Sequence, residues 1–285
     1  MRLEIRDWRS ASSSNYQSPV HRRSAMSVTY SNYLKLEQIL TAQQPLSEGP
    51  EHDELLFIVI HQVYELWFKQ VLHELDYLQA RLMRNDTTRA EHTLRRILTI
   101  LKTMVGQIDI LETMTPLEFL SFRGRLESAS GFQSYQFREL EFVLGHKRRS
   151  IMAHYADDAQ TRQKLETRYR QPTLWDAFLH YLAANGCAVP VELLARDVTQ
   201  PLEPSPEVQR ILIEVYRHQS PLLSICERLI DFDEGIQEWR YRHIKMVERT
   251  IGTKQGTGGS AGVKYLQSTL FKPLFPDLWA IRTEL

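Results

Sequence analysis

The sequence predicts an all-α fold, a single-domain bundle of long helices with short helices inserted, and three observations carry that expectation. After Glu51 apolar residues recur at steps of three and four through most of the chain, the spacing of one helix face. No segment alternates apolar and polar residues as a half-buried strand does, and no Asn-Gly turn sits between two strand-like runs. Helix punctuation is placed where the periodic runs begin and end, as at Thr115-Pro116-Leu117-Glu118 and at Gly252. At 285 residues roughly three quarters of the unfolded surface can be buried, so one core needs no staples. No stretch rich enough in Gly, Pro or Ser splits the chain into two domains.

Residues 1–28 read as a mobile arm. Arg2, Arg6 and Arg9 precede a serine-rich run, Ser10–Ser14, with no apolar stretch behind it, which argues against a secretory leader. The helical domain is expected over 29–285. Leu56, Ile60, Val63, Trp67, Val71, Leu75 and Leu78 form one face of a first long helix. The nearly unbroken apolar run Leu55–Tyr64 predicts a segment buried on all sides. Leu94, Ile97, Leu101, Met104, Val105 and Ile108 predict a second helix over Ala90–Leu111. Thr115 then serves as N-cap, Pro116 sits where its missing N–H costs nothing, and Glu118 closes a capping box. That short helix ends near Arg123, a loop crosses Ser128–Gly131, and the next helix runs from Phe132 to Gly145. Helices over Asp158–Tyr169, Thr173–Ala184 and Pro206–His218 follow. The longest spans Pro221–Ile251, with Gly252 at the C′ position. Five of the twelve glycines (Gly252, Gly256, Gly258, Gly259 and Gly262) crowd into the next segment. Such a loop is either a disordered connection or a segment ordered by a ligand.

Composition excludes several functions. Thirty-five Lys and Arg balance thirty-five Asp and Glu, which removes the electrostatic argument for nucleic-acid or anionic-membrane partners. The longest uncharged candidate, Ala177–Val191, is broken by Asn185, Gly186 and Pro190 and falls short of the ~18 apolar residues of a membrane helix. Only Cys187 and Cys226 occur, without metal-type spacing. Such usage suits a reducing cytoplasm and excludes a disulfide scaffold or a Cys-ligated cluster.

The chemistry-bearing residues narrow the choice further. A di-iron bundle needs Glu-x-x-His, and none of the ten histidines follows a glutamate at that spacing. The segment GTGGSAG follows a helix rather than a strand and lacks the lysine of a phosphate-binding loop. His61 lies inside Phe57-Ile58-Val59-Ile60-His61, the most apolar stretch of the chain. His243 shares a stripe with Ile236, Trp239, Met246, Val247 and Thr250. Two readings stand for this pair. They are core histidines bonded to backbone or hydroxyl groups, or one is the axial ligand of a haem and the other faces ligands across it. Arg123 ends a helix carrying Leu117, Phe119, Leu120 and Phe122, and a guanidinium in that setting needs an anion. The anion is either a structural carboxylate or that of a substrate. Trp67 and Trp239 read as core residues.

At these residues the sequence resembles a known family. HDELLFIVIHQVYELWFKQVLHELD (52–76), SFRGRLESASGFQSYQFRELE (121–141), HIKMVERTIGTKQGTGGSAGVKYL (243–266) and TYSNYLKLEQIL (29–40) are similar to segments of the tryptophan 2,3-dioxygenases, in the same order. The resemblance implies an all-α, cytoplasmic homotetramer that uses haem b, ferrous in its active state, and O2. It opens the indole ring of L-tryptophan to give N-formyl-L-kynurenine. It implies His243 as the proximal iron ligand and His61 as the distal, catalytic histidine that bonds the indole N–H. Phe57 and Phe119 would line the indole pocket, Arg123 would pair with the substrate carboxylate, and Thr257 would contact the polar end of the amino acid. Ser130 and Gly131 would contact the cofactor. Tyr30 and Tyr33 would reach into a neighbouring subunit's site. Some members carry tyrosine where this chain has Phe119, which leaves the apolar wall intact but removes a hydroxyl contact. Residues 1–28 have no clear counterpart in the family. Two alternatives remain at this point: a haem-binding gas sensor or store of the same fold, and a dioxygenase acting on another indole.

Overall fold

The structure, a computed structural model, describes residues 27–127, 129–256 and 262–285. The described residues are helices and turns, with no strand among them. They fall in two compact units, divided between Ala42 and Gln43.

The first unit contains α1 (Tyr30–Leu34) and α2 (Leu36–Leu40). Thr29 starts α1 through a capping box: its hydroxyl accepts the Asn32 N–H, and Asn32 Oδ1 accepts the Thr29 N–H at 2.8 Å. Lys35 separates the two helices with a left-handed backbone, φ 56°.

The second unit is built on α3 (His52–Leu82), α4 (Thr87–Leu111) and the later α11 (Leu223–Ile251). α4 packs against both of the others. Its stripe, including Leu94, Ile97, Leu101, Met104 and Ile108, is buried along its whole length. At Gly235 of α11 an added Cβ would lie 2.6 Å from Leu101 Cδ2 of α4. α5 (Pro116–Arg123) bridges α3 and α11. α6 (Tyr135–Val143) packs on α3 and on α7 (Ala159–Tyr169), and α8 (Leu174–Ala184) packs on α3. The short α9 (Val191–Leu194) follows, then α10 (Pro206–Arg217). After α11 come α12 (Val263–Gln267), laid against α11, and α13 (Pro276–Ala280), laid against α10 and α11.

The expected helices are present, with boundaries shifted by local capping. α4 begins at Thr87 because Asp86 accepts the Arg89 N–H. α6 starts only at Tyr135, because Gly131–Gln133 forms a separate 3₁₀ turn and Ser134 accepts the Phe137 N–H at 3.1 Å. The run Leu55–Tyr64 is not buried on all sides. Ile60 is inside, but Leu55 and Val59 are 49% and 38% exposed, and Leu66 continues that outer stripe. α3 is also the one described helix long and apolar enough to cross a membrane by length and composition; here it packs on α4, α6 and α8.

One buried cation closes a helix end. Lys147 is 5% exposed, and its ammonium donates to the carbonyls of Arg168 at 3.3 Å and of Tyr169 and Gln171 at 2.8 Å, at the C-terminus of α7. They lie at and just beyond the last turn of α7, where carbonyls lack i+4 partners, although that of Arg168 also accepts the Gln171 N–H at 3.2 Å. Replacing Lys147 with Met keeps the aliphatic stem and removes every donor. The expected loss is about 1–3 kcal/mol, the cost of leaving buried acceptors unpaired. Thermal unfolding of Lys147→Met against the parent chain measures it, and an unchanged Tm refutes the capping role.

Candidate active site

A cavity opens between α3 and α11 and is closed by α5, α6 and the segment around α12. Its volume is about 280 Å³, at the lower end of the ~300–1,000 Å³ range of small-molecule pockets. Phe57, His61, Tyr64, Glu65 and Phe68 line it from α3, one face at steps of three and four. Trp239, Arg240, His243, Met246, Val247 and Thr250 line it from α11.

The two histidines expected from sequence share this cavity. His61 Nδ1 lies 2.7 Å from the Phe57 carbonyl oxygen. A carbonyl only accepts, so Nδ1 carries the proton and Nε2 is left with its lone pair. Burial lowers the His61 pKa below its ordinary value, against the Phe57 carbonyl and the charge of Glu65, which raise it. His243 lies deep in the protein, its residual accessible surface facing the cavity. Burial, with the charge at His61 adding to it, takes its pKa down to about 4. Both imidazoles are therefore neutral at neutral pH, the form that accepts hydrogen bonds and binds metals. Among the described residues no group of three or more His, Cys, Asp or Glu side chains is gathered as a metal site.

At the other end of α5 the capping box predicted at Thr115 is present, Glu118 Oε2 accepting the Thr115 N–H at 2.6 Å. It fixes a helix whose last residue is Arg123. Phe57, Phe119 and Phe122 form one aromatic cluster, with ring centroids 5.5–5.8 Å apart. Of these, Phe57 and Phe119 line the cavity beside Arg123. Arg123 Nη2 donates to the Gln255 carbonyl at 2.5 Å, which ties α5 to the start of the glycine-rich segment, while its buried Nε has no hydrogen-bond partner among the described residues. Ser130 and Gly131 line the cavity as well. Thr257 falls outside the described residues, but Gly256 and Gly262 on either side of it reach the cavity wall. Gly262 has φ 57°, and a Cβ there would meet the Lys254 carbonyl oxygen at 2.8 Å, so the loop closes only on glycine. Tyr30 and Tyr33 lie on α1, in the first unit, and are exposed.

Sequence reasoning missed a polar wall. Glu141, buried, takes a hydrogen bond from Arg138 at 2.6 Å and two from Arg148 at 2.9 Å, and Arg240 approaches to 3.9 Å. Arg138, Glu141 and Arg240 border the cavity. Burial raises the Glu141 pKa, but the surrounding guanidinium groups outweigh it and hold the carboxyl ionised. Three guanidinium groups thus surround this one carboxylate. A signal was present: Arg240 stands three residues before His243, on the same face of α11. Glu65 is a second carboxylate there, and the Gln136 side-chain amide donates to it and to its carbonyl, both at 2.9 Å.

The sequence profile of the tryptophan 2,3-dioxygenase family matches residues 14–186 and 205–285. It starts upstream of Thr29, so part of the N-terminal arm does have a family counterpart, and it passes over 187–204. The chain is 66% identical over 262 residues to the tryptophan 2,3-dioxygenase of Herpetosiphon aurantiacus, covering 92% of this chain and all of that protein. It is 56% identical to that of Anaeromyxobacter dehalogenans over 90% of this chain and 95% of the relative. With that of Caulobacter vibrioides the identity is 43%, over 92% of this chain and 100% of the relative. The chain belongs to the tryptophan 2,3-dioxygenase family.

Proposed function

We propose that this chain binds haem b through His243 and uses O2 to open the indole ring of L-tryptophan, giving N-formyl-L-kynurenine. The observation that carries the proposal is the pairing of two neutral histidines on one apolar cavity, with cationic groups on its lining. A cavity with two histidines on its lining, and no group of three or more ligating side chains among the described residues, suits a metal that arrives with its own planar ligand. Arg138 and Arg240 on the cavity lining offer guanidinium groups suited to the carboxylates of such a cofactor. Once bound, ferrous haem supplies the centre at which O2 is activated, and both oxygen atoms enter the product without an external reductant.

The rest of the work falls to the chain. His61 Nε2 accepts the indole N–H, its tautomer held by the Phe57 carbonyl. Phe57 and Phe119 wall the indole ring and exclude water. Arg123 takes the substrate carboxylate, exchanging or sharing its contact with Gln255. Thr257 and the glycines around it close over the polar end of the amino acid. This positioning supplies much of the rate. A requirement for a carboxylate disfavours indoles that lack one. Tyr30 and Tyr33 complete a neighbour's site within a cytoplasmic homotetramer, which would also cover the outer stripe of Leu55, Val59 and Leu66.

The direct test is aerobic incubation of reduced, haem-loaded protein with L-tryptophan, followed by product absorbance; a gas sensor would change its spectrum and form no product. His243→Ala is expected to lose most of its haem, whereas His61→Ala keeps it. A full Soret band in His243→Ala would remove the proximal assignment. Arg123→Leu is expected to weaken L-tryptophan binding by about 3 kcal/mol, the scale for unpairing a desolvated charge, and to discriminate less against tryptamine. Titration of the haem spectrum measures both. Deletion of residues 1–34 is expected to cost activity while haem binding persists. A fully active truncated chain, monomeric by light scattering, refutes completion of the site by a neighbour.

A further inference from the structure

We infer that Trp239 is the residue that orients His243 as an iron ligand, and that Tyr64 holds Trp239 in place. The inference rests on the proposed haem reading and adds a positioning residue to it.

A metal-bound histidine is normally oriented by a hydrogen bond from its second ring nitrogen to a carboxylate or a backbone carbonyl. Among the described residues the His243 ring makes no such bond, and no carboxylate is paired with it. Without that bond its ring plane is free to turn about the Cβ–Cγ axis unless something flat confines it. Trp239 stands one turn earlier on α11. The two ring planes are 10° from parallel, with centroids 5.6 Å apart. A plane facing a plane restricts the rotation that the missing hydrogen bond would have restricted.

Trp239 has no freedom to follow a turning imidazole. It is 9% exposed and is packed by Phe68 at 6.0 Å, edge-on at 90°, and by Phe137 at 5.4 Å. Tyr64 packs on it at 6.3 Å from α3. The Tyr64 hydroxyl in turn donates to the Met104 carbonyl at 2.6 Å, which anchors the phenol to α4. The Trp239 indole N–H lies close enough to that hydroxyl to act on its pKa, yet outside hydrogen-bonding geometry. Ring packing is therefore the feature that transmits the constraint. All three long helices contribute: α4 holds Tyr64, α3 carries Tyr64 and Phe68, and α11 carries the stacked pair.

The test compares Trp239→Phe, which keeps a flat ring, with Trp239→Leu and Trp239→Met, which do not. Each is prepared as the haem-loaded ferrous protein. The iron–histidine stretching band is read by resonance Raman, and haem loss by transfer to excess apomyoglobin. Leu and Met are expected to broaden or shift the band and to speed haem loss about tenfold or more, the scale of losing an outer-shell contact. Phe is expected to keep a wild-type band and to lose haem within about twofold of the wild-type rate. Thermal unfolding of each variant reports folding, and if Leu does not fold, the more adaptable Met decides. A wild-type band and loss rate in the folded Leu or Met variant overturns the inference. So does a Phe variant as impaired as the others, since the effect would then follow the indole N–H. Failure of the haem reading itself is separate, because it is read from His243→Ala.

Discussion

The packing of α4 between α3 and α11 is the constraint on which the site depends. The α4 stripe of Leu94, Ile97, Leu101, Met104 and Ile108 is buried, α4 packs on both neighbours, and at Gly235 a Cβ would require the Leu101 side chain to shift. Both helices that carry the cavity's histidines are thus packed on one common element. Long helices suit this task. A side chain set on a packed helix inherits the rigidity of the whole element, whereas one on a loop does not. The less regular parts of the site, the glycine-rich loop and the turn at Ser130–Gly131, border the same cavity from outside that frame.

Much of this was legible in the sequence, for identifiable reasons. Helix periodicity is a local signal, and it placed α3, α4, α5, α7, α8, α10 and α11 within a few residues. His61, His243 and Arg123 were conspicuous because each is a polar group on an apolar face, a placement with an energetic cost that asks for a partner. The structure brings these residues to one cavity, with Phe57, Phe119, Ser130 and Gly131. The polar wall was not legible, because Arg138, Glu141 and Arg148 read as ordinary surface charges along the chain. Only the fold turns α6 so that Arg138 and Glu141 are buried. The outer stripe of α3 was misread for the opposite reason. A run of apolar residues reports that a surface avoids water, and says nothing about whether its cover comes from the same chain.

Charge is distributed in the cavity in a way that suits one polar ligand and one apolar reaction. Along its middle run neutral imidazoles and aromatic rings, and burial keeps the imidazoles from taking up protons. On the same lining stand guanidinium groups: Arg123 at the end of α5, and Arg138 and Arg240, both buried, around Glu141. A protonated histidine in the middle would repel these cations and could bind neither iron nor an indole N–H. A lining without cations, in turn, would give no hold on carboxylates. The depressed histidine pKa values and the guanidinium groups therefore belong to one arrangement. Low polarity in the centre strengthens every interaction those groups make, and their charge fixes the orientation of what the centre holds.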